Sequence, residues 1–163
     1  RFFLVGEGEL EAPLKAQAGA LGLGDRFVFT GFARDVAALY SALDIVVFPW
    51  LGEGTPLTTF EVLAMDKPIV ATDADGLLDI LTDRHDAMIV PKRNATALAE
   101  RIVWAIDNPD QRARLSAAAR QTGHKYDIAA FVRKMERLYL LLHEMSRARD
   151  RQGILRADLS FLT

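Results

Sequence analysis

Asp44-Ile-Val-Val-Phe-Pro49-Trp-Leu-Gly-Glu53-Gly-Thr-Pro-Leu57-Thr-Thr-Phe-Glu61 is the stretch whose reading decides the fold. Ile45–Phe48 is a short apolar run rich in β-branched residues, the pattern of a strand buried on both faces of a parallel sheet. Pro49 and the glycines at 52 and 54 break it. Leu57–Met65 then has helical character, and Pro56 suits the first turn of that helix. The stretch therefore reads strand, loop, helix.

The same alternation extends in both directions. Phe2–Val5, Arg26–Thr30, Ile69–Thr72 and Ala87–Val90 are further short apolar runs. Helix candidates lie at Leu10–Leu21, Asp35–Ser41 and Leu77–Leu81, and the Gly22 and Gly24 pair suits the closing turn of the first. Strands alternating with helices imply right-handed crossovers and an α/β, doubly wound, Rossmann-like parallel sheet.

The last third reads as helical. Asn94 is positioned to cap a helix ending near Asp107, and Asn108-Pro109-Asp110 breaks it and caps the next. Ile128, Phe131, Val132, Met135, Leu138, Tyr139, Leu142 and Met145 follow a helical repeat, which predicts a face packed on the sheet. From Arg147 the pattern lapses. Residues 1–146 are expected to form one domain, and 147–163 a tail that is disordered or docked on a domain outside this chain.

Composition narrows the function classes. Of 163 residues, 50% are hydrophobic and 26% charged, as in a soluble domain with a sizeable core. A formal net charge of −2 provides no footprint for nucleic acid. There is no cysteine, which excludes thiolate chemistry and fits a reducing compartment, so a cytoplasmic location is expected. No apolar run approaches the roughly 20 residues of a membrane span. The opening Arg1-Phe-Phe-Leu-Val5 puts a core strand at the first residues, as expected of a fragment.

In doubly wound sheets ligands bind beyond the carboxyl ends of the strands, so the loops there are the candidates. Gly6-Glu7-Gly8 follows the first strand and leads into a helix, a turn whose backbone can approach phosphate or sugar. Gly31-Phe32 follows the second, where Gly31 permits close approach and Phe32 is placed to flank a flat ring. After the third strand, the amides around Gly54, Thr55 and Leu57 form a partial positive pole, with Pro56 at the helix entrance. Glu61 lies one turn further. A carboxylate only accepts hydrogen bonds and so suits a ribose diol. Taken singly, Glu53 reads better as a solvated loop residue and Glu61 as a helix-dipole partner.

Taken together, Val5-Gly-Glu-Gly8, Phe29-Thr-Gly-Phe32, Asp44 through Pro49, Glu53 through Glu61, Ala64-Met-Asp-Lys-Pro68, Ile69-Val-Ala-Thr72 and Met88-Ile-Val-Pro91 resemble, in order, the group 1 family of retaining glycosyltransferases. The resemblance runs to about Leu142 and is sharpest in the spacing of Glu53 and Glu61. It implies the donor-binding, C-terminal half of a GT-B fold and transfer of a sugar, of hexosyl type, from a nucleotide diphosphate sugar with retention. Glu61 would hold the ribose hydroxyls, and Glu53 would contact the donor sugar as the catalytic candidate. Gly54, Thr55, Pro56, Leu57 and Thr58 would cradle sugar and phosphate, Gly6 and Gly8 would lie near the diphosphate, and Gly31 and Phe32 near the base.

The resemblance further implies that no metal or other cofactor is needed, because positive charge and amide dipoles stabilise the leaving phosphate. The acceptor would be bound by an N-terminal domain outside this chain, which would also carry any peripheral membrane association. The family's diphosphate-gripping Arg and Lys are expected upstream of Phe2. Two places depart from the family pattern. Met65-Asp66-Lys67 stands where a small residue and glycine are common, and Asp73-Ala-Asp75-Gly76 where two glycines often stand. The Asp73 and Asp75 pair invites a metal reading, but two hard oxygen ligands make a poor site and the sheet pattern is not that of the metal-dependent glycosyltransferase fold. His85, His124 and His143 lack zinc spacing and are expected on the surface. Trp50 reads as packing rather than as a pocket wall. A non-catalytic nucleotide-sugar-binding module and a GT-B-type sugar-nucleotide epimerase are the alternative functions.

Overall fold

The computed structural model describes residues 1–147. The described residues fall into two compact units, Arg1–Asp44 and a second that begins at Ile45. In the first, β1 (Phe2–Val5) pairs parallel with β2 (Phe27–Gly31), Phe2 opposite Phe27, and the register shifts between Leu4 and Val5. The crossover is α1 (Glu11–Ala20), and α2 (Val36–Ala42) follows β2. Gly22, at φ +63°, ends α1 as expected. Its amide donates to Gly19 O at 3.0 Å and that of Leu23 to Ala18 O at 3.1 Å, a Schellman closure that satisfies two helix-end carbonyls. The Asp35 side chain caps α2 by accepting from Ala38 N at 2.9 Å.

The expectation of strands buried on both faces fails in this unit. Phe2 is 50% exposed and Phe3 45%. Two strands and two helices within 44 residues cannot supply a layer over each face. Edge aromatics instead stack on one another, Phe2 on Phe27 with centroids 6.2 Å apart.

In the second unit β3 (Val46–Phe48), β4 (Ile69–Thr72) and β5 (Ala87–Val90) form a parallel sheet in that order, with Val47 opposite Val70 and Val70 opposite Met88. Helices α3 (Leu57–Ala64) and α4 (Asp75–Leu78) make the crossovers; α5 (Ala95–Asp107), α6 (Pro109–His124) and α7 (Ile128–Arg147) follow. Here the strands are as buried as their sequences imply. Val62, Leu63, Ile69 and Leu77 are fully buried, each worth about 1.5–3 kcal/mol relative to exposure. Gly123 of α6 lies where a Cβ would stand 3.2 Å from Leu63 Cβ, so α6 approaches α3 closely. A buried polar clasp ties the helices to the turn before β5: Thr122 donates to Asp86 Oδ2 at 2.7 Å, and Thr82 N to Asp86 Oδ1 at 2.7 Å.

Three expectations are corrected. α4 starts at Asp75 rather than Leu77, and the amides of Ile80 and Leu81 still bond to Leu77 O. Asn108 stands at the N-cap of α6 without capping it; its side-chain amide donates to Trp104 O at 2.8 Å and closes α5 instead. The stripe on α7 is only partly covered by the described residues: Met135, Leu138 and Met145 are half-buried and none is buried, while Ile128 is 72% exposed and Tyr139 65%. Periodicity establishes an apolar face but not what lies against it. Of the expected tail 147–163, Arg147 ends α7 and the remainder lies outside the described residues.

Candidate functional site

In the first unit the two glycine loops beyond β1 and β2 meet. Gly6 N donates to Gly31 O at 2.8 Å, and Phe32 N donates to Glu7 Oε1 at 3.3 Å. Gly6 has φ +119° and Gly31 φ +67°, settings that L residues with side chains rarely adopt, so both glycines are needed by the turn itself. Phe32 is 72% exposed, a ring left open to solvent beside these loops. Gly8 O accepts from Glu11 N at 3.1 Å at the start of α1. The sequence reading passed over Glu7, whose carboxylate joins the loops. Its placement between two glycines was the available signal.

In the second unit the chain leaves β3 through Pro49 and Trp50. The indole of Trp50 stacks on Phe48 at 4.3 Å, so its role is packing, as expected. The hydroxyl of Thr72, at the end of β4, lies 2.5 Å from Trp50 O and 3.3 Å from Phe48 O, and its proton fastens the loop to the sheet. Residues Leu51 to Thr55, Glu53 included, are exposed, whereas Pro56 is buried and ends the loop. Pro56 is the N-cap of α3, one position earlier than expected, with ψ 118°.

From there α3 separates its faces. Thr59, Val62 and Leu63 are buried, while Leu57, 75% exposed, and Glu61, one turn on, share the open face, with Thr58 half-buried at their side. The first amides of a helix have no acceptor within it, so this end of α3 presents a partial positive charge. Thr59 Oγ1 is buried with no hydrogen-bond partner among the described residues.

A contact that sequence reasoning missed fixes the Glu53 loop. Gly76 N donates to Glu53 O at 3.1 Å, and a Cβ built on Gly76 would overlap the carbonyl group of Gly54. The first turn of α4 is therefore a bed for the Glu53-Gly54 backbone, and only glycine fits at 76. No local signal distinguishes this from ordinary turn chemistry, because the contact spans two loops.

Asp73 and Asp75 are both engaged with Lys92, beyond β5. Asp73 Oδ1 accepts from Lys92 N at 2.6 Å, and Asp75 Oδ1 lies 3.4 Å from Lys92 Nζ. Among the described residues no group of three or more His, Cys, Asp or Glu side chains is placed to hold a metal. His85, His124 and His143 are all exposed.

With this geometry in view, the family comparison is decisive: residues 1–122 match the model of glycosyl transferases group 1. The chain belongs to the glycosyl transferases group 1 family. The matched segment ends short of Leu142, the point to which the motif order was followed, and it contains every loop described above. Among its relatives, phosphatidyl-myo-inositol mannosyltransferase of Mycobacterium leprae is 30% identical over 142 residues, which are 85% of this chain and 37% of that protein. Sucrose-phosphate synthase of Thermosynechococcus elongatus has a similar structure, TM-score 0.78 at 25% identity, over 87% of this chain and 38% of that one. HepE of Anabaena, solved with UDP, superposes with TM-score 0.78 at 22% identity over 84% of this chain and 40% of its own, a likeness of fold. The chain thus has the α/β, Rossmann-like architecture of a C-terminal GT-B domain and spans well under half of each of these proteins. No helix among the described residues is long and apolar enough to cross a membrane.

Proposed function

We propose that residues 1–146 are the donor-binding domain of a retaining glycosyltransferase that takes its sugar, of hexosyl type, from a nucleotide diphosphate sugar without a metal. One observation carries the reading: within the family-matched segment, the loop holding Glu53 is clamped by Gly76 and Thr72 while its carboxylate and that of Glu61 stay exposed. A fastened backbone that leaves Glu53 and Glu61 exposed suits a polyhydroxy ligand better than a packing role.

In this reading Glu61 accepts from the ribose hydroxyls and Glu53 from the donor sugar. The amides from Gly54 to Thr58 face the charge that builds on the leaving phosphate, where fixed dipoles lower the barrier without reorganising. The roles that the family assigns to Gly6 and Gly8 at the diphosphate, and to Gly31 and Phe32 at the base, are carried over with it. The UDP held by HepE supports a nucleotide as the recognised group. The acceptor and any membrane association belong to a further, N-terminal domain, and the location is cytoplasmic.

Calorimetry on Glu53→Gln tests this assignment. The variant is expected to bind a nucleoside diphosphate as the wild type does and the corresponding nucleotide sugar about tenfold more weakly, the loss of one charge-assisted hydrogen bond. Equal losses for both ligands would move Glu53 away from the sugar.

A further inference from the structure

Arginines for which the donor chemistry has no use gather beside the turn leading into β5. Arg84 and His85 come from that turn, Arg101 and Trp104 from α5, and Gln111 and Arg114 from α6; together they line a cleft of about 360 Å³. Its floor is apolar, made by the buried side chains of Met88 and Leu115. No carboxylate lines it. Arg84 Nε is 3.7 Å from Asp83 Oδ2 with both side chains largely in solvent, so that pair neutralises little. Asp86 lies 3.7 Å from His85, but its two oxygens already accept from Thr82 N and Thr122 Oγ1. Among the described residues Arg101 and Arg114 make no ion pair.

Asp83 and Asp86 stand beside the turn, but Arg101 and Arg114 face the concavity with no ion pair among the described residues; like charges gathered there repel one another, and a bound anion lowers that cost. Guanidinium forks match oxyanion geometry, and the Gln111 amide and Trp104 indole add further donors. The turn holds Arg84 at φ +60°, where arginine is disfavoured, and Arg84 N donates to Ala87 O at 2.8 Å, so its direction is imposed by the fold. The location is separate from the donor site. Arg84 and His85 precede β5, whereas Glu53 follows β3, and β3, β4 and β5 run parallel; the turn therefore lies at the amino ends of the strands and the Glu53 loop at their carboxyl ends.

We propose that this cleft binds a phosphate-bearing anion, either a soluble phosphate group or the headgroup of an anionic lipid. The full chain, free of nucleotide, would be titrated with inorganic phosphate, the share bound in the cleft being the part lost in the cleft variants. In parallel it would be sedimented with vesicles of phosphatidylcholine alone or mixed with phosphatidylglycerol. The wild type is expected to bind phosphate or the anionic vesicles, which separates the two sources, with no response to phosphatidylcholine alone. Arg101→Gln and Arg114→Gln should each weaken that binding about tenfold, with nucleotide affinity unchanged. Absence of both responses in the wild type, or equal anion binding by the wild type and the double variant, would overturn the proposal. If the double variant melts early, Arg101→Lys decides: weaker phosphate binding supports a bidentate guanidinium, and unchanged binding counts against it.

Discussion

Gly76 sits against the backbone of Gly54 so closely that no side chain fits between them, and its amide holds the carbonyl of Glu53 at 3.1 Å. The backbone at the proposed catalytic residue is thereby held by a residue of α4. Gly76→Ala must push the Glu53-Gly54 segment outward or displace α4. The expected result is a loss of about 1–3 kcal/mol of stability, typical of overpacking, together with weaker binding of the nucleotide sugar. Thermal unfolding and calorimetry on the same sample check both. A variant with wild-type melting and wild-type sugar affinity would mean that the loop yields freely.

Thr72 anchors the same loop from below through Trp50 O. Thr72→Val keeps the shape and removes the donor, leaving a partly buried carbonyl without this partner. Stability should fall by about 1–3 kcal/mol, the usual cost of an orphaned polar group. Urea unfolding with an unchanged slope would attribute the loss to the native contact rather than to the unfolded chain.

Asp73 and Asp75 are expected to act on structure and not on a cation. Nucleotide affinity should be the same in magnesium, in manganese and in chelator. Asp73→Ala should lower the melting temperature, because Lys92 N loses its acceptor. Affinity that appears only with metal and vanishes in the Asp73→Ala, Asp75→Ala double variant would assign the pair to a metal instead.

Much of this organisation was legible in the residues. Ile45–Phe48, the Pro49 to Pro56 loop and the helix from Leu57 came within a residue of their observed bounds, because a β-branched run and a proline at a helix entrance are local signals. The end of α1 followed from Gly22 for the same reason. What failed was tertiary. Gly76 stood only in a loop that departs from the family pattern, yet it is a contact surface for Gly54. The apolar stripe of α7 looked like core, yet Ile128 and Tyr139 are exposed, since a periodic pattern does not name its partner. Phe2 and Phe3 were expected inside a sheet and lie at the surface of a unit too small to bury them. The basic cleft escaped because its arginines come from three separate elements, a turn and two helices, and no motif unites them.

Glu61 gives the most direct test of the central claim, that this chain recognises a nucleotide through the ribose. Calorimetry would compare a nucleoside diphosphate with its 2′-deoxy analogue on the wild type and on Glu61→Gln, with thermal unfolding to confirm that the variant has lost no more than a helix-dipole contribution of about 0.3–1 kcal/mol. The substitution keeps the shape and removes the charge, so it should cost roughly 1.5–3 kcal/mol, on the order of tenfold to a hundredfold in affinity. The wild type should bind the deoxy analogue more weakly than its parent, and the variant should distinguish the two much less. Equal discrimination by both proteins, with folding intact, would contradict the account and leave Glu61 as an ordinary helix charge.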